Sequence, residues 1–201
     1  MRFQLVIFDL GGVLVNVEPK RLVQEMVRQG QRSAEELGRL MLDQQFLESF
    51  ELGRTSAQQF YDQANTRLGL SWSFEQFVTA WNSILSENTQ NTWLLQHLRL
   101  RYRLLVLTNT DVLHDEHIRR TWPAFNQIHH WVASYQVGFR KPEPEIFRLA
   151  LRQAEASPST TLFIDDTKDH VETARQLGIK AIHFTKGLVL EDELRGVGVH
   201  V

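Results

Sequence analysis

The feature that most constrains the fold is a short run of strand-forming residues near the start of the chain, Phe3–Phe8, which ends in the turn sequence Asp-Leu-Gly-Gly. A run of this kind is typical of a central strand that is buried on both faces of a sheet. Similar runs follow at Leu104–Leu107, Trp131–Ala133, Thr161–Ile164 and Ala181–Phe184, with helical periodicity between them. This alternation predicts an α/β fold, a Rossmann-like parallel sheet covered by helices in three layers.

The first two of these strands are separated by far more chain than the dozen or so residues that a crossover needs. Two Ser-x-x-Gln sequences, at Ser56 and Ser73, predict helix N-termini, and an apolar stripe follows each of them. The stripes consist of Ala57, Phe60, Tyr61, Ala64 and Leu68, and of Phe74, Phe77, Val78, Trp81 and Leu85. We therefore expect a helical cap at residues 16–88, inserted into a core formed by residues 1–15 and 89–201. We expect the polar stretch Ser86–Gln90 to be a hinge.

The composition argues against several functional classes. The 201 residues include 22 Lys plus Arg and 24 Asp plus Glu, a formal charge of −2 that supplies no positive field for nucleic acid or anionic lipid. The chain has no cysteine, which excludes disulfides and thiolate chemistry. Asp9 interrupts the apolar start, so a secretory signal is not expected, and no run reaches the roughly 18–20 apolar residues of a membrane span. We expect a cytoplasmic monomer or weak homodimer.

Polar residues follow the predicted strands. Asp9 follows the first strand, Thr108-Asn109-Thr110-Asp111 the second and Asp165-Asp166 the fourth, while Lys141 lies ahead of Pro142. The carboxyl ends of parallel strands share one edge of the sheet, where ligands bind. Carboxylates at such an edge suit Mg²⁺, and a carboxylate can attack phosphorus when a cation offsets the repulsion between anions. Taken singly, these residues also fit a tight turn, a helix N-cap or a solvated charge.

Four segments in chain order resemble the motifs of the haloacid dehalogenase-like hydrolase superfamily: VIFDLGGVLV, LLVLTNT, GFRKPEPEIF and LFIDDTKDHVETARQLGI. The resemblance implies a Rossmann-like core with a cap, a Mg²⁺ cofactor and a small phosphorylated metabolite as substrate. It implies that Asp9 is the nucleophile, and that Thr108, Asn109 and Lys141 contact the substrate, with Thr108 and Lys141 also catalytic. The implied metal ligands are Asp9, the Gly11 carbonyl, Asp166 and, as a second candidate, Asp165.

The sequence departs from the superfamily pattern at Gly11, where most phosphatases of this type have an aspartate that protonates the leaving oxygen. General acid–base catalysis is worth about 10²–10⁴-fold, so its absence matters least for leaving groups that depart without full protonation. This argument favours sugar 1-phosphates or acyl phosphates over alkyl phosphates. The FDLGxV arrangement also resembles a bacterial branch that includes an α-D-glucose-1-phosphate phosphatase.

Several alternatives stay open. His170 could replace the missing acid or be a solvated helix residue, and His114 and His117 are weaker candidates. Glu51, Arg54 and Trp81 of the predicted cap are the residues to examine for substrate contact. The same carboxylate could attack carbon in a haloacid dehalogenase, which needs no metal. The chain could also be a catalytically weak module that binds a phosphorylated metabolite or another partner.

Overall fold

The computed structural model describes residues 3–28 and 44–201. The strands in chain order are β1 (Leu5–Phe8), β2 (Val15–Val17), β3 (Leu85–Glu87), β4 (Arg103–Thr108), β5 (His130–Ala133), β6 (Thr161–Asp165) and β7 (Lys180–His183). The α-helices are α1 (Pro19–Arg28), α2 (Gln44–Glu51), α3 (Ala57–Leu68), α4 (Phe74–Asn82), α5 (Thr89–Leu98), α6 (Val112–Thr121), α7 (Ser134–Val137), α8 (Pro144–Gln153), α9 (Lys168–Gln176) and α10 (Leu190–Gly196). Short 3₁₀ turns span Pro123–Gln127 and Pro158–Thr160.

The main sheet has five parallel strands in the order β5-β4-β1-β6-β7. Strand β1 lies at its centre and pairs Phe8 with Val106 on one side and with Ile164 on the other. The five strands correspond to the five runs predicted from the sequence, with ends that differ by one or two residues. The predicted Rossmann-like α/β fold is therefore confirmed.

The strands of this sheet are apolar on both faces because helices cover both. Val6 and Phe8 belong to one core cluster, which includes side chains of α5 and α10. Leu5 and Ile7 point the other way, into a second cluster with side chains of α8 and α9. This alternation along β1 accounts for the nearly continuous apolar run that the sequence shows, since each successive side chain enters the opposite layer.

The helical segment between β1 and β4 has a core of its own, in which Phe60 is fully buried. The Phe60 ring stacks on Phe46 and Phe50 and makes edge contacts with Phe77 and Trp81. Both predicted capping boxes are confirmed, because the Ser56 and Ser73 hydroxyls accept the backbone N–H groups three residues further on. The apolar stripes therefore pack helices together, except at Leu85, which was assigned to the second stripe but lies in β3. The division into a cap at 16–88 and a discontinuous core stays a prediction.

A two-stranded antiparallel ribbon connects the helical segment to the sheet. Val15–Val17 pair with Leu85–Glu87, and the Asn88 N–H donates to the Leu14 carbonyl. The polar stretch predicted as a hinge, Ser86–Gln90, is therefore the end of β3 and the start of α5 in the structure. A three-residue strand with polar side chains has too little periodicity to be recognised from sequence alone.

Among the described residues, no helix is long and apolar enough to cross a membrane.

Gly178 has a φ of 82° and follows the last turn of α9, as predicted for a helix C-cap. Because β1, β4 and β6 are adjacent and parallel, the residues at their carboxyl ends meet at one edge of the sheet.

Candidate active site

The site is built at the carboxyl edge of the three central strands. Asp9 directly follows β1, Thr108 is the last residue of β4 and Asp165 is the last residue of β6. All three side chains are buried. The main chain holds Asp9 in place because its N–H donates to the Ile164 carbonyl of the neighbouring strand.

Lys141 is nearly inaccessible to solvent, with 1% of its surface exposed, and its ammonium lies between two carboxylates. The Nζ atom is 2.8 Å from Asp9 Oδ1 and 2.6 Å from Asp165 Oδ2. A buried ammonium is tolerated when anionic partners surround it in this way. The structure thus brings Lys141 together with the carboxylates at the strand ends, while its role in the site stays a prediction.

Asn109 fixes the segment that carries this lysine. Its side-chain amide donates to the Lys141 carbonyl at 2.9 Å, and its side-chain oxygen accepts the Lys141 N–H at 2.8 Å. Both ends of the Asn109 amide are thus engaged with the Lys141 backbone. The predicted contact between Asn109 and the substrate stays a prediction, whereas its link to Lys141 was not foreseen, because 32 residues separate the two in sequence.

The three charges shift one another's protonation. Burial raises the pKa of Asp9, the Lys141 charge opposes this, and the result is a pKa of about 6. Burial alone would lower the pKa of Lys141, but the Asp9 and Asp165 carboxylates outweigh it, and that pKa is raised. Burial alone would raise the pKa of Asp165, but Lys141 and His170 outweigh it, and that pKa is lowered. Lys141 and Asp165 are therefore charged near neutral pH, and Asp9 ionises just below it.

Asp165, the last residue of β6, and Asp166, which follows it, differ in their surroundings. Besides Lys141, the Asp165 carboxylate accepts the Thr167 N–H at 2.8 Å and lies 3.1 Å from His170 Nδ1. Asp166 is exposed, and its carboxylate lies over the backbone of Gly12. Carboxylate oxygens of Asp9, Asp165 and Asp166 nevertheless come within 4.8 Å of one another, a cluster that could hold a metal ion.

A cavity of about 660 Å³ extends from this edge into the helical segment. Gly11, Thr108 and Asn109 line one end of it, next to the Asp9–Lys141 pair. Two of the three examined cap residues, Glu51 and Trp81, line its wall. Arg54 is exposed and is not among the described residues that form the wall.

Glu51 also links the helical segment to the lysine loop. The residue before Lys141, Arg140, forms ion pairs with Glu51 at 3.2 Å and with Glu48 at 3.5 Å. Burial raises the pKa of Glu51, and the Arg140 charge opposes this. The Glu51 carbonyl accepts a bond from Ser134, at the start of α7. No sequence pattern pointed to these contacts, because they join α2 to segments more than 80 residues away.

His114, given little weight from sequence, belongs to a buried network in the cavity wall. Its Nδ1 is 3.0 Å from Asp111 Oδ2, its Nε2 is 3.2 Å from the Trp81 carbonyl, and its ring stacks on the Trp81 indole. Asp111 is the N-cap of α6 and also accepts the Trp81 Nε1–H. Because both ring nitrogens face acceptors, the protonated imidazole is the better satisfied form. His117, one turn further along α6, has 3.5 Å between its Nδ1 and the Thr121 hydroxyl and makes an edge contact with Trp122.

Comparison with known proteins identifies the class. Residues 3–178 match the family described as haloacid dehalogenase-like hydrolase, and the chain belongs to this family. The family predicted from the four motifs is confirmed, and with it the prediction that the chain is an enzyme of the hydrolase class.

Individual relatives cover nearly the whole chain. D-ribitol-5-phosphate phosphatase from Bacteroides thetaiotaomicron is 26% identical over 196 residues, which is 94% of this chain and 95% of that protein. Sesquiterpene phosphatase astK from Aspergillus oryzae is 29% identical over 202 residues, with 96% and 95% covered. A solved HAD family enzyme from Bacteroides thetaiotaomicron, in complex with magnesium and inorganic phosphate, superposes with a TM-score of 0.83 at 30% identity. That superposition covers 92% of this chain and 96% of the other.

The two glycines after Asp9 differ in how they tolerate a side chain. Gly12 has a φ of 73°, and a Cβ there would lie 2.1 Å from Asp166 Oδ2, whereas a Cβ on Gly11 would meet Val17 Cγ2 at 3.5 Å. We predict that Gly12→Ala lowers the free energy of unfolding by about 1–2 kcal/mol because of its left-handed backbone. Gly11→Ala, the matched control, should change it by less than about 1 kcal/mol. Urea unfolding measures both, and equal losses would contradict this view of the turn.

The His114 network predicts a pH-dependent contribution to stability. Burial alone would lower the pKa of His114, but the Asp111 charge and hydrogen bonds to Asp111 and Trp81 outweigh it, so the pKa is raised above 6.5. The folded protein then binds a proton that the unfolded chain has released, so this stabilisation is complete below about pH 6.5 and is lost as the pH rises through the folded pKa. His114→Gln should therefore destabilise the protein by about 1–3 kcal/mol at pH 6, and by less at pH 9.

His117→Gln is the control for this measurement, which compares urea unfolding of each variant with the wild type at both pH values. Burial and the nearby His114 and Arg120 charges lower the pKa of His117, so its linkage to stability has the opposite sign. An effect of His114→Gln that is equal at pH 6 and pH 9 would show that the imidazolium does not form.

Proposed function

We propose that this hydrolase is a Mg²⁺-dependent phosphatase that acts on a small phosphorylated metabolite through an aspartyl-phosphate on Asp9. The observation that carries the proposal is the buried Lys141 ammonium, held 2.8 Å from the Asp9 carboxylate at the sheet edge, beside the exposed carboxylate of Asp166. The two curated relatives described above are phosphatases, and the solved relative binds magnesium and inorganic phosphate. These comparisons support the phosphatase class and the metal.

The residues present fit Mg²⁺. The three carboxylates whose oxygens come within 4.8 Å of one another are hard oxygen donors, the kind that Mg²⁺ prefers. Asp9, Asp166 and the Gly11 carbonyl would hold the ion. Asp165 is the weaker ligand of the set, because its oxygens already face Lys141, His170 and the Thr167 N–H. When bound, the ion would neutralise negative charge on the phosphoryl group.

In the proposed reaction a carboxylate oxygen of Asp9 forms a bond to phosphorus while the bond between phosphorus and the leaving oxygen breaks. The leaving oxygen keeps the electron pair, and water later hydrolyses the aspartyl-phosphate to inorganic phosphate. The Lys141 ammonium offsets the repulsion between the Asp9 carboxylate and the incoming anion. The buried Thr108 hydroxyl and Asn109 are proposed to contact the phosphoryl oxygens, and Asn109 also positions Lys141 through its backbone.

The absence of a side chain at Gly11 limits the leaving groups that the substrate can carry. Without an acid at this position, the leaving oxygen must depart largely unprotonated, which favours esters and anhydrides of the more acidic hydroxyl groups. Sugar 1-phosphates and acyl phosphates meet this condition better than alkyl phosphates do. We do not assign the missing acid to His170, because its Nδ1 faces the Asp165 carboxylate.

Asp9→Asn tests the nucleophile. We expect phosphate release from acetyl phosphate or glucose 1-phosphate to fall by roughly 10³-fold or more, because the amide cannot form the phosphoenzyme. EDTA should abolish the wild-type activity, and added Mg²⁺ should restore it. The matched control is Asp169→Asn, an exposed charge in the first turn of α9, which should leave turnover unchanged. Phosphate release is measured with an enzyme-coupled assay at neutral pH, because acidic molybdate reagents decompose acetyl phosphate.

Other outcomes of this experiment would support other functions. Halide release from a 2-haloacid that survives EDTA would indicate a dehalogenase. Mg²⁺ binding with no turnover of any phosphate ester or acyl phosphate would indicate a binding module. Turnover that Asp9→Asn leaves intact would show that another residue is the nucleophile.

Gly11→Asp tests the leaving-group argument, since the site has room for a Cβ at this position. The new carboxyl group should accelerate hydrolysis of alkyl phosphates by up to about 10²-fold and change acetyl phosphate hydrolysis little. Gly11→Asn, which has the same shape but no acidic proton, should give no such gain. The measurement is kcat/KM against the pKa of the leaving group, which should fall steeply for the wild type. A flat wild-type profile would contradict the argument.

A further inference from the structure

The cavity beside the proposed phosphate site has an apolar wall. Its volume of about 660 Å³ is in the range of pockets that enclose a small organic ligand. The aliphatic and aromatic side chains that line it are Leu10, Val15, Val17, Leu22, Val23, Leu47, Phe50, Trp81, Ile84, Leu85 and Ile118. They come from β2, β3 and the helices α1, α2, α4 and α6, and from the segments between elements.

The cavity is continuous with the catalytic edge. Gly11 and Thr108 belong to its lining, Gly11 lies two residues from Asp9, and Thr108 ends the strand beside β1. A phosphoryl group at Asp9 would therefore place the rest of the molecule among the apolar side chains. This adjacency to the catalytic edge favours the body of the substrate, rather than a separate ligand, as the occupant of the cavity.

Among the described residues, the charged groups that lie inside the wall, namely Asp111, His114 and Glu51, already have partners. Asp111 accepts bonds from the Trp81 indole and from two backbone N–H groups, and it lies 3.0 Å from the His114 ring. The second nitrogen of His114 faces the Trp81 carbonyl, and Glu51 pairs with Arg140. Lys20 and Gln24, which also line the cavity, are exposed at its margin. Against the wall residues that the structure describes, the hydroxyl groups of a sugar would therefore lose water and gain few hydrogen-bond partners in return.

We infer that the substrate is an acyl or aryl phosphate whose non-phosphate part is a hydrocarbon. The inference rests on the proposed phosphatase function and refines its substrate class. An acyl or aryl leaving group satisfies the requirement that Gly11 sets, and a hydrocarbon body satisfies the apolar wall. Sugar 1-phosphates meet the first condition but not the second.

The test uses phenyl phosphates with 4-methyl, 4-butyl and 4-octyl substituents, since these share nearly the same leaving-group pKa. If the chain enters the cavity, kcat/KM should rise about two- to fourfold per methylene until the cavity is filled. Glucose 1-phosphate should be the poorer substrate. A series without any gain, or a clear preference for glucose 1-phosphate, would overturn the inference while leaving the phosphatase function intact.

A matched pair of variants on α1 locates the effect. Val23 lines the cavity, whereas Val27 on the same helix is exposed and is not among the lining residues. Val23→Gln should flatten the chain-length dependence, and a urea unfolding midpoint close to that of the wild type would show that this variant folds. Val27→Gln should preserve the wild-type dependence. Equal behaviour of the two variants would contradict an entry of the chain into this cavity.

A binding experiment tests the cavity even if the protein has no phosphatase activity. If no ester and no acetyl phosphate is hydrolysed, calorimetric binding of 4-methyl- and 4-octylphenylphosphonate tests the cavity without turnover. Tighter binding of the octyl compound that is lost in Val23→Gln would support the inference for a binding protein. Equal binding of the two phosphonates, or none, would overturn it.

Discussion

The arrangement of the site depends on a buried ammonium held between two carboxylates. Lys141 lies within 2.8 Å of Asp9 and 2.6 Å of Asp165, and only 1% of its surface is exposed. Removing a charge from water is costly, and each of these groups compensates for the burial of the others. Two carboxylates without the lysine would repel each other, and the lysine without them would favour its neutral form. The ion pairs therefore hold the lysine loop against the ends of strands β1 and β6.

The fold positions the three charged side chains relative to one another. Asp9 and Asp165 are fixed by pairing between β1 and β6, while Lys141 comes from a loop and depends on the side chain of Asn109 for its position. The same loop is joined through Arg140 to Glu51 at the end of α2. The helical segment therefore contacts Arg140, and the two carboxylates contact the next residue, Lys141. The end of α2 therefore contacts the residue that precedes Lys141.

The sequence predicted the sheet and the residues at its edge because parallel strands leave short apolar runs and place their following residues together. It predicted the capping boxes for an equally local reason. Only the resemblance ranked Asp166 ahead of Asp165 as a metal ligand, since the difference between their surroundings lies in partners of Asp165 that are 5 and 24 residues away. The pair Asp111–His114 was visible as an i, i+3 spacing, but its burial against Trp81 arises from packing between α4 and α6. The apolar cavity is likewise a product of several elements.

Gly11 connects the chemistry of the site to the shape of the cavity. It lies between Asp9 and the apolar wall, and a Cβ at this position would point toward Val17 at 3.5 Å. An aspartate there would add a carboxyl group beside aliphatic side chains, at a cost in desolvation. Glycine at this position adds no polar group to the cavity wall. It also leaves the site without a general acid at this position. A leaving group that needs no proton and has a hydrocarbon body is compatible with both consequences, which is why one small residue bears on reactivity and on specificity together.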